Sequence, residues 1–298
     1  MWCALWSLVL VGLLGCGPGT PAAEALDGPP VVETPPKAEE VTGGEDTLVP
    51  GVWRVLRPGL EVAEFEAAVP SDIGDSRIRV VRVDPAHHEL VLASARLGDG
   101  VTHTARGWSQ REGFLVATNP GMFHPDGRST GFMQVGAGVV NPTVNGDKAI
   151  LAFDPGDEAV PPVRIIDREC DDFAQLRLQY RQMVQSIRML SCTGQNVWSA
   201  QERRCSHAVI GTDRQGRALL IHARSPWSTH VFVEQLRSLP IDLDRLQYGE
   251  GGPEAQLYVA AGDFQAEWWG SFETGFNEND DNDRAWPIPN ILGVRPRK

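Results

Sequence analysis

Two carboxylates bracket one turn near the end of the sequence. Glu250 and Glu254 flank a Gly-Gly-Pro segment directly before an apolar stretch typical of a strand. Because the residue before a proline avoids the helical region, we expect a non-helical turn that presents both acids to one cleft. Paired carboxylates at a cleft can act as general acid and as base or nucleophile. Glu250 and Glu254 are therefore candidate catalytic residues.

A second segment combines a strand exit with a tight turn. Asn119 begins an Asn-Pro-Gly turn, where its amide can hydrogen-bond a ligand that Gly121 allows to approach closely. We count Asn119 among the candidate catalytic residues. His124 and Asp126 follow in the same turn as candidate binding residues, and the alternative for both is a solvated turn.

The third segment is a hairpin that runs from His207 to Arg224. In their order along the chain, the segments that begin at Asn119, His207 and Glu250 resemble the phosphodiester glycosidase family. The resemblance covers roughly residues 75 to 262. Asn119 and Phe123 match the family's Asn-Gly-Gly-Phe-Phe-like turn, and Gly211 and Arg224 match its Arg-Thr-Ala-x-Gly strand and the Asp-Gly-Arg that follows. The Glu-Gly-Gly that begins at residue 250 matches its Asp-Gly-Gly-Gly-Ser turn.

The sequence departs from the family pattern at four positions. His207 replaces an arginine, and in the last turn Glu250 replaces the aspartate, Pro253 the third glycine and Glu254 the serine. The chain therefore resembles a divergent branch of the family.

The resemblance implies cleavage between the anomeric carbon of a sugar and a phosphate oxygen. The oxocarbenium-like transition state of this reaction needs a nearby carboxylate. A separation of about 5 to 5.5 Å between the two carboxyl groups favours retention of configuration at the anomeric carbon, and about 6.5 to 9.5 Å favours inversion. Arg224 would bind the phosphate bidentately, and His207 with the amides of Gly251 and Gly252 would add donors. The alternatives are a turn cap for Glu250, a surface ion pair for Arg224 and a buried strand histidine for His207.

Two overall functions follow from this resemblance. The first is a hydrolase of sugar 1-phosphodiesters in envelope or extracellular glycans. The second is a catalytically inactive glycan- or protein-binding lipoprotein of the same fold. Aromatic residues near the C-terminus are candidates for a sugar platform or for core packing: Trp268, Trp269, Phe272, Phe276 and Trp286.

A calcium site was considered at residues 277–283, which are dense in oxygen ligands. The EF-hand register fails there, because its sixth position is Asn282 instead of glycine and its twelfth is Ile288 instead of glutamate. A looser divalent-cation loop and a solvated acidic loop remain as alternatives. We expect no required cofactor.

The intervening pattern predicts a single α+β domain on a mostly antiparallel or mixed β-sheet, with a few packed helices. Strands are expected at 77–84, 89–97, 113–118, 149–153, 207–212, 218–222 and 256–261. One helix is expected over 171–190, and a second begins after Ser228 and ends at Pro240.

The N-terminus indicates export. Residues 1–15 resemble a lipoprotein signal peptide that ends before a lipidated Cys16, and the alternative is a leader cut by the ordinary signal peptidase. Residues 16–50 predict an acidic Pro/Gly-rich disordered tether, and 51–298 the glycosidase-like domain. We expect a lipid-anchored protein of the cell envelope.

Charge and cysteine content bear on partners and compartment. The net charge is −12 and no basic cluster stands out, which argues against a nucleic-acid partner. Cys192 and Cys205 are candidates for a disulfide in an oxidising compartment, with Cys170 left over. Three buried free cysteines are the alternative.

Overall fold

The computed structural model describes residues 48–297. The predicted signal peptide, the lipidation site Cys16 and nearly all of the predicted tether lie outside the described residues. Between Leu48 and Arg297, no helix has the length and apolar character that a membrane crossing requires.

Three antiparallel sheets form the domain. The first contains, in spatial order, β1 (Arg54–Arg57), β2 (Leu60–Glu66), β3 (Arg77–Val83), β12 (Ala218–Trp227), β11 (Cys205–Asp213) and β13 (Leu243–Gly251). The second contains β7 (Gly138–Asn141), β6 (Met133–Val135), β10 (Tyr180–Ser186), β8 (Ala149–Pro155) and β9 (Val163–Asp167). The third contains β15 (Phe264–Trp269), β14 (Gln256–Ala261), β5 (Val116–Thr118), β16 (Asn290–Pro296) and β4 (His88–Ser94).

Helices are few and short. They are α1 (Ala105–Glu112), α2 (Phe173–Leu176) and α3 (Thr229–Ser238), with single 3-10 turns at Ala95–Leu97 and Gly252–Glu254. The prediction of mostly antiparallel sheet with a few helices is confirmed, although strand dominates the fold more than the term α+β suggests.

The central core lies where the three sheets meet. Side chains on successive residues of a strand point to opposite faces. On β12, Leu220 therefore joins a buried cluster that includes Leu151 of the second sheet and Leu257 of the third. Its neighbours Leu219 and Ile221 point to the other face of the sheet, which α3 covers.

Helix α3 begins where the sequence predicts. Ser228 is its N-cap, and its hydroxyl accepts a hydrogen bond from the backbone N–H of Val231 at 3.3 Å. We expect Ser228→Ala to lower the free energy of unfolding by about 1 kcal/mol in urea titrations, because that donor loses its partner. The exposed Ser238→Ala at the other end is the matched control, and an equal loss in both variants would contradict the capping role.

The helix predicted over residues 171–190 is wrong. Its first turn exists as α2, capped by Asp172, whose carboxylate accepts from the N–H of Gln175. Most of the remainder is β10 (Tyr180–Ser186), an inner strand between β6 and β8 whose residues Met183 to Ser186 are all buried. A strand buried on both faces has no period of two, so its apolar pattern cannot be distinguished from that of a buried helix.

The disulfide predicted between Cys192 and Cys205 is also wrong. Cys192 pairs with Cys170, with 6.4 Å between their Cα atoms, and Cys205 is buried and lies outside this disulfide. The two partners lie in turns that Asp167 joins, because its carboxylate accepts from the N–H of Cys192 at 3.0 Å and from that of Glu169 at 3.0 Å. Cys205 instead begins an inner strand and points into the core.

Candidate active site

The carboxylate turn grows out of an irregularity in the first sheet. Between β11 and β13 the register shifts at Gly249, so that Ala208 faces Glu250 while Val209 faces Tyr248. A Cβ on Gly249 would lie 2.6 Å from the carbonyl oxygen of Ala208, so only glycine fits this bulge. The half-buried Glu250 then accepts a hydrogen bond from the N–H of Gly251 at 3.0 Å.

Asn119 fixes the turn to the third sheet. Its Nδ2 donates to the carbonyl oxygen of Glu254 at 3.0 Å, and its Oδ1 accepts from the N–H of Gln256 at 2.7 Å. Asn119 is 1% exposed, and both ends of its amide bind backbone. The structure therefore brings Asn119 and the turn together, with Asn119 as the clamp that holds the backbone on either side of Ala255.

Glu254 is the acid with the most perturbed environment. Burial raises its pKa to about 7, and the negative charge of Glu273 acts in the same direction. Burial also raises the pKa of Glu273, which the guanidinium of Arg203, 3.8 Å away, partly opposes. A carboxyl group that is half protonated near neutral pH can donate a proton to a leaving group.

Sequence reasoning did not identify Glu273 as a site residue. It lies 19 residues after Glu254, in a segment that pairs with the start of β11 through a bridge to Cys205. No spacing rule connects the segment Glu273-Thr274-Gly275-Phe276 to the carboxylate turn.

Arg224 binds a loop of the protein itself. Its Nε donates to Oδ1 of Asp280 at 2.7 Å, and its Nη2 donates to the carbonyl oxygens of Asp280 and Asn282, both at 3.0 Å. Its Nη1 donates to the carbonyl oxygen of Trp269 at 3.2 Å. The guanidinium thus occupies oxygen atoms of the loop that was considered for calcium, and little of its hydrogen-bonding capacity is left for a phosphate.

His207 lies inside the protein. It is 0% exposed, its ring stacks on Phe232 of α3 at 4.4 Å, and its Nε2 lies 3.2 Å from Oγ1 of Thr229 and 3.5 Å from Sγ of Cys205. Burial lowers the pKa of His207 to about 3, so the ring is neutral at physiological pH. The structure thus turns this candidate phosphate donor toward α3.

The two glycines of the turn are required by close neighbours. A Cβ on Gly251 would lie 2.1 Å from the hydroxyl oxygen of Tyr248, and one on Gly252 would lie 2.6 Å from Oε2 of Glu273. Gly252 also has a φ of +62°, which side chains disfavour. The N–H of Gly251 already donates to Glu250, so it is not directed at a ligand.

In the described part of the chain, no hydrogen bond joins His124 or Asp126 to the carboxylate turn. The N–H of Arg128 donates to Oδ1 of Asp126 at 3.0 Å, and this hydrogen bond lowers the pKa of that carboxyl. Asp126 lines a groove of about 570 Å³ together with Phe123, Pro125, Pro287 and Pro289, whereas His124 does not line it. Glu250, Glu254 and Arg224 do not line it either.

Most of the candidate platform aromatics close the acidic loop. Trp269 donates from Nε1 to the carbonyl oxygen of Asn282 at 3.0 Å, and Trp286 donates to its side-chain oxygen at 3.2 Å. Phe276 packs edge-on against Trp286 at 6.0 Å and is 51% exposed. Phe272 is buried, and Trp268 packs against the central core.

One group of residues in the described part of the chain has the geometry to hold a metal ion. It consists of Asp167, Cys170 and Cys192. Because the two thiols form the disulfide, the thiolates that would bind a metal are absent.

Comparisons with known proteins place this geometry in a family. The phosphodiester glycosidase family model matches residues 112–295, which include both candidate carboxylates and Asn119. A search of curated proteins finds no match.

Solved structures show the same fold. The catalytic domain of zebrafish N-acetylglucosamine-1-phosphodiester alpha-N-acetylglucosaminidase, auto-inhibited by its pro-peptide, is 14% identical with a TM-score of 0.58, over 84% of this chain and 87% of that one. A hypothetical protein from Synechocystis is 13% identical with a TM-score of 0.53, over 80% of this chain and 62% of that longer one. With the family model covering more than half of the sequence, the chain belongs to the phosphodiester glycosidase family.

Proposed function

We propose that the domain hydrolyses a sugar 1-phosphodiester at the turn that carries Glu250 and Glu254. Family membership supports a hydrolase of this type. The observation that carries the proposal is the environment of Glu254, whose partly buried carboxyl has a pKa raised to about 7 and whose backbone Asn119 holds in place.

The chemistry follows from the two carboxyls. Glu254 in its neutral form donates its proton to the phosphate oxygen as the bond from that oxygen to the anomeric carbon breaks. The carboxyl group of Glu250, held by the N–H of Gly251, faces the positive charge that develops on the sugar ring and would stabilise it as a carboxylate. Water supplies the oxygen that ends on the anomeric carbon, and its proton passes to a carboxylate.

Export and anchoring form part of the same proposal. An apolar run followed by Cys16 supports lipid attachment, and the acidic segment up to residue 50 would hold the domain away from the membrane. The Cys170–Cys192 disulfide is typical of oxidising compartments outside the cytosol. We therefore place the substrate among envelope or extracellular glycans, and we propose that hydrolysis needs no cofactor.

The direct test uses the soluble domain, residues 48–298, with N-acetylglucosamine 1-phosphodiesters and a panel of other sugars. We expect release of free sugar, with and without a chelator, and about a tenfold or greater loss in Glu250→Gln, because the developing positive charge loses its carboxylate. Glu158→Gln, at an exposed position, is the matched control. Activity unchanged by Glu250→Gln would remove that residue from the mechanism.

A binding function is the second candidate. The groove beside Asp126 is separate from the carboxylate turn and is lined by proline rings and Phe123. The departures from the family's last turn also favour it. Absence of turnover on every sugar of the panel, together with retention of the domain on immobilised glycan, would favour this function over hydrolysis.

A further inference from the structure

We propose that Glu273 is a positioning residue for this reaction: its buried carboxylate, seated against Gly252, holds Glu254 in the proton-donating form. The proposal rests on the function proposed above and adds a residue to it. Glu273 does not need to touch the substrate, because it acts through Glu254.

The first observation is the fit between Glu273 and the turn. A Cβ added to Gly252 would lie 2.6 Å from Oε2 of Glu273 and 3.1 Å from the Cβ of Glu273. The carboxylate therefore fills the space where any other residue at position 252 would place its side chain. This contact gives Gly252 a role in the site that is different from binding phosphate through its N–H.

The second observation is the rigidity of the segment that carries Glu273. Its N–H donates to the carbonyl oxygen of Asn277 at 2.8 Å. The segment is also joined to the start of β11, because Ser206 donates to the carbonyl oxygen of Phe272 at 2.9 Å and Thr274 donates to that of Arg204 at 3.0 Å. Glu273 is 8% exposed, so water screens its charge poorly.

The third observation is the arrangement of neighbouring charges. Arg203 faces Glu273 from the preceding loop and favours its ionised form. The other nearby cations have partners of their own, since Arg204 pairs with Asp72 and Arg224 with Asp280. His207, buried and neutral at physiological pH, adds no positive charge. Arg203 is therefore the cation that directly opposes the negative charge of Glu273, and the other cations named here are engaged elsewhere.

The test measures the titration of Glu254 directly. The domain is labelled with ¹³C at the glutamate side-chain carboxyls, and the Glu254 signal, assigned by its loss in Glu254→Gln, is followed by NMR against pH. In Glu273→Gln we expect its midpoint to fall by on the order of one pH unit, because one like charge is removed while burial remains. An unchanged midpoint in the folded variant would overturn the proposal.

Two further variants separate charge from packing. Glu273→Asp keeps the charge, so its Glu254 midpoint should stay close to the wild-type value; a fall equal to that in Glu273→Gln would overturn the proposal. Glu267→Gln, a half-buried acid on β15 that faces Arg106, is the matched control and should leave the midpoint unchanged. If Glu273→Gln does not fold, the NMR titration curves of Glu254 and Glu273 in the wild-type domain decide the matter. Coupled carboxyls show inflections at shared pH values, and independent titration of the two signals would overturn the proposal.

The activity of the same variants gives a second readout. Glu273→Gln should move the alkaline limb of the kcat profile to lower pH by the same amount as the midpoint, with KM unchanged. The NMR result does not depend on turnover. A domain without activity would therefore contradict the proposed function, while the titration still decides the role of Glu273.

Discussion

Glu254→Gln is expected to lower kcat by about 100- to 10,000-fold on a sugar 1-phosphodiester at pH 6, the range typical for loss of a general acid. At that pH most Glu254 carboxyls are protonated, because the pKa is about 7. Wild-type kcat should fall as pH rises through about 7, since the proton donor is lost. Steady-state release of sugar between pH 5 and 9 measures both effects.

The controls for this prediction use leaving groups of different basicity. A substrate whose leaving phosphate needs little protonation should lose less activity in Glu254→Gln than one that needs more. An equal loss of kcat on both substrates in Glu254→Gln would show that Glu254 is not the proton donor. The same conclusion would follow if kcat of the variant still fell above pH 7 as in wild type.

The same carboxyl should make stability depend on pH. Its pKa rises from 4.5 to about 7 on folding, so the folded state binds the proton more tightly than the unfolded state. The contribution of this carboxyl to the free energy of unfolding is therefore fully present below pH 4.5. It is lost as pH rises through about 7, and it amounts to at most about 3 kcal/mol. Glu254→Gln should remove this contribution, so urea unfolding at pH 5 and pH 8 should differ less in the variant than in wild type.

Removal of the Cys170–Cys192 disulfide is expected to lower the free energy of unfolding by about 3 kcal/mol, because the bond closes a loop of 22 residues in the unfolded chain. The double variant Cys170→Ser, Cys192→Ser tests this by urea unfolding. Treatment of the wild-type domain with a reductant should give the same loss.

Peptide mapping of the unreduced domain is the control for that experiment. It should recover a peptide pair that contains Cys170 and Cys192, with Cys205 outside that pair. A Cys192–Cys205 pair, or unchanged stability of the double variant, would contradict the assignment.

The sequence correctly predicted the elements that are determined by residues close together in the chain. The hydroxyl of Ser228 and the stop at Pro240 define α3 within a few residues, and the strand predicted over 256–261 matches β14. The segment 171–190 failed because burial of Met183 and its neighbours is imposed by β6 and β8, which lie elsewhere in the sequence. Tertiary packing decided that segment against its apparent helical period.

The site residues also divide into those that the sequence could identify and those that depend on tertiary contacts. For an active site the sequence led us to expect Glu250, Asn119 and Arg224 in one cleft. Hydrogen bonds join Asn119 to both sides of Ala255, whereas Arg224 binds the acidic loop. Glu273 was missed because its proximity depends on the pairing of a late segment with the start of β11. The partners of Arg224 were missed because the path of the acidic loop determines which oxygens meet the guanidinium.

The loop around Arg224 differs in kind from a loop that closes on a metal. A metal-closed loop depends on the ion activity of the medium, which varies widely outside a cell. Here the cation is covalently part of the chain and meets Asp280 and two further carbonyl groups at an effective concentration fixed by the fold. The closure of this loop in the described fold therefore uses a cation that the polypeptide itself carries.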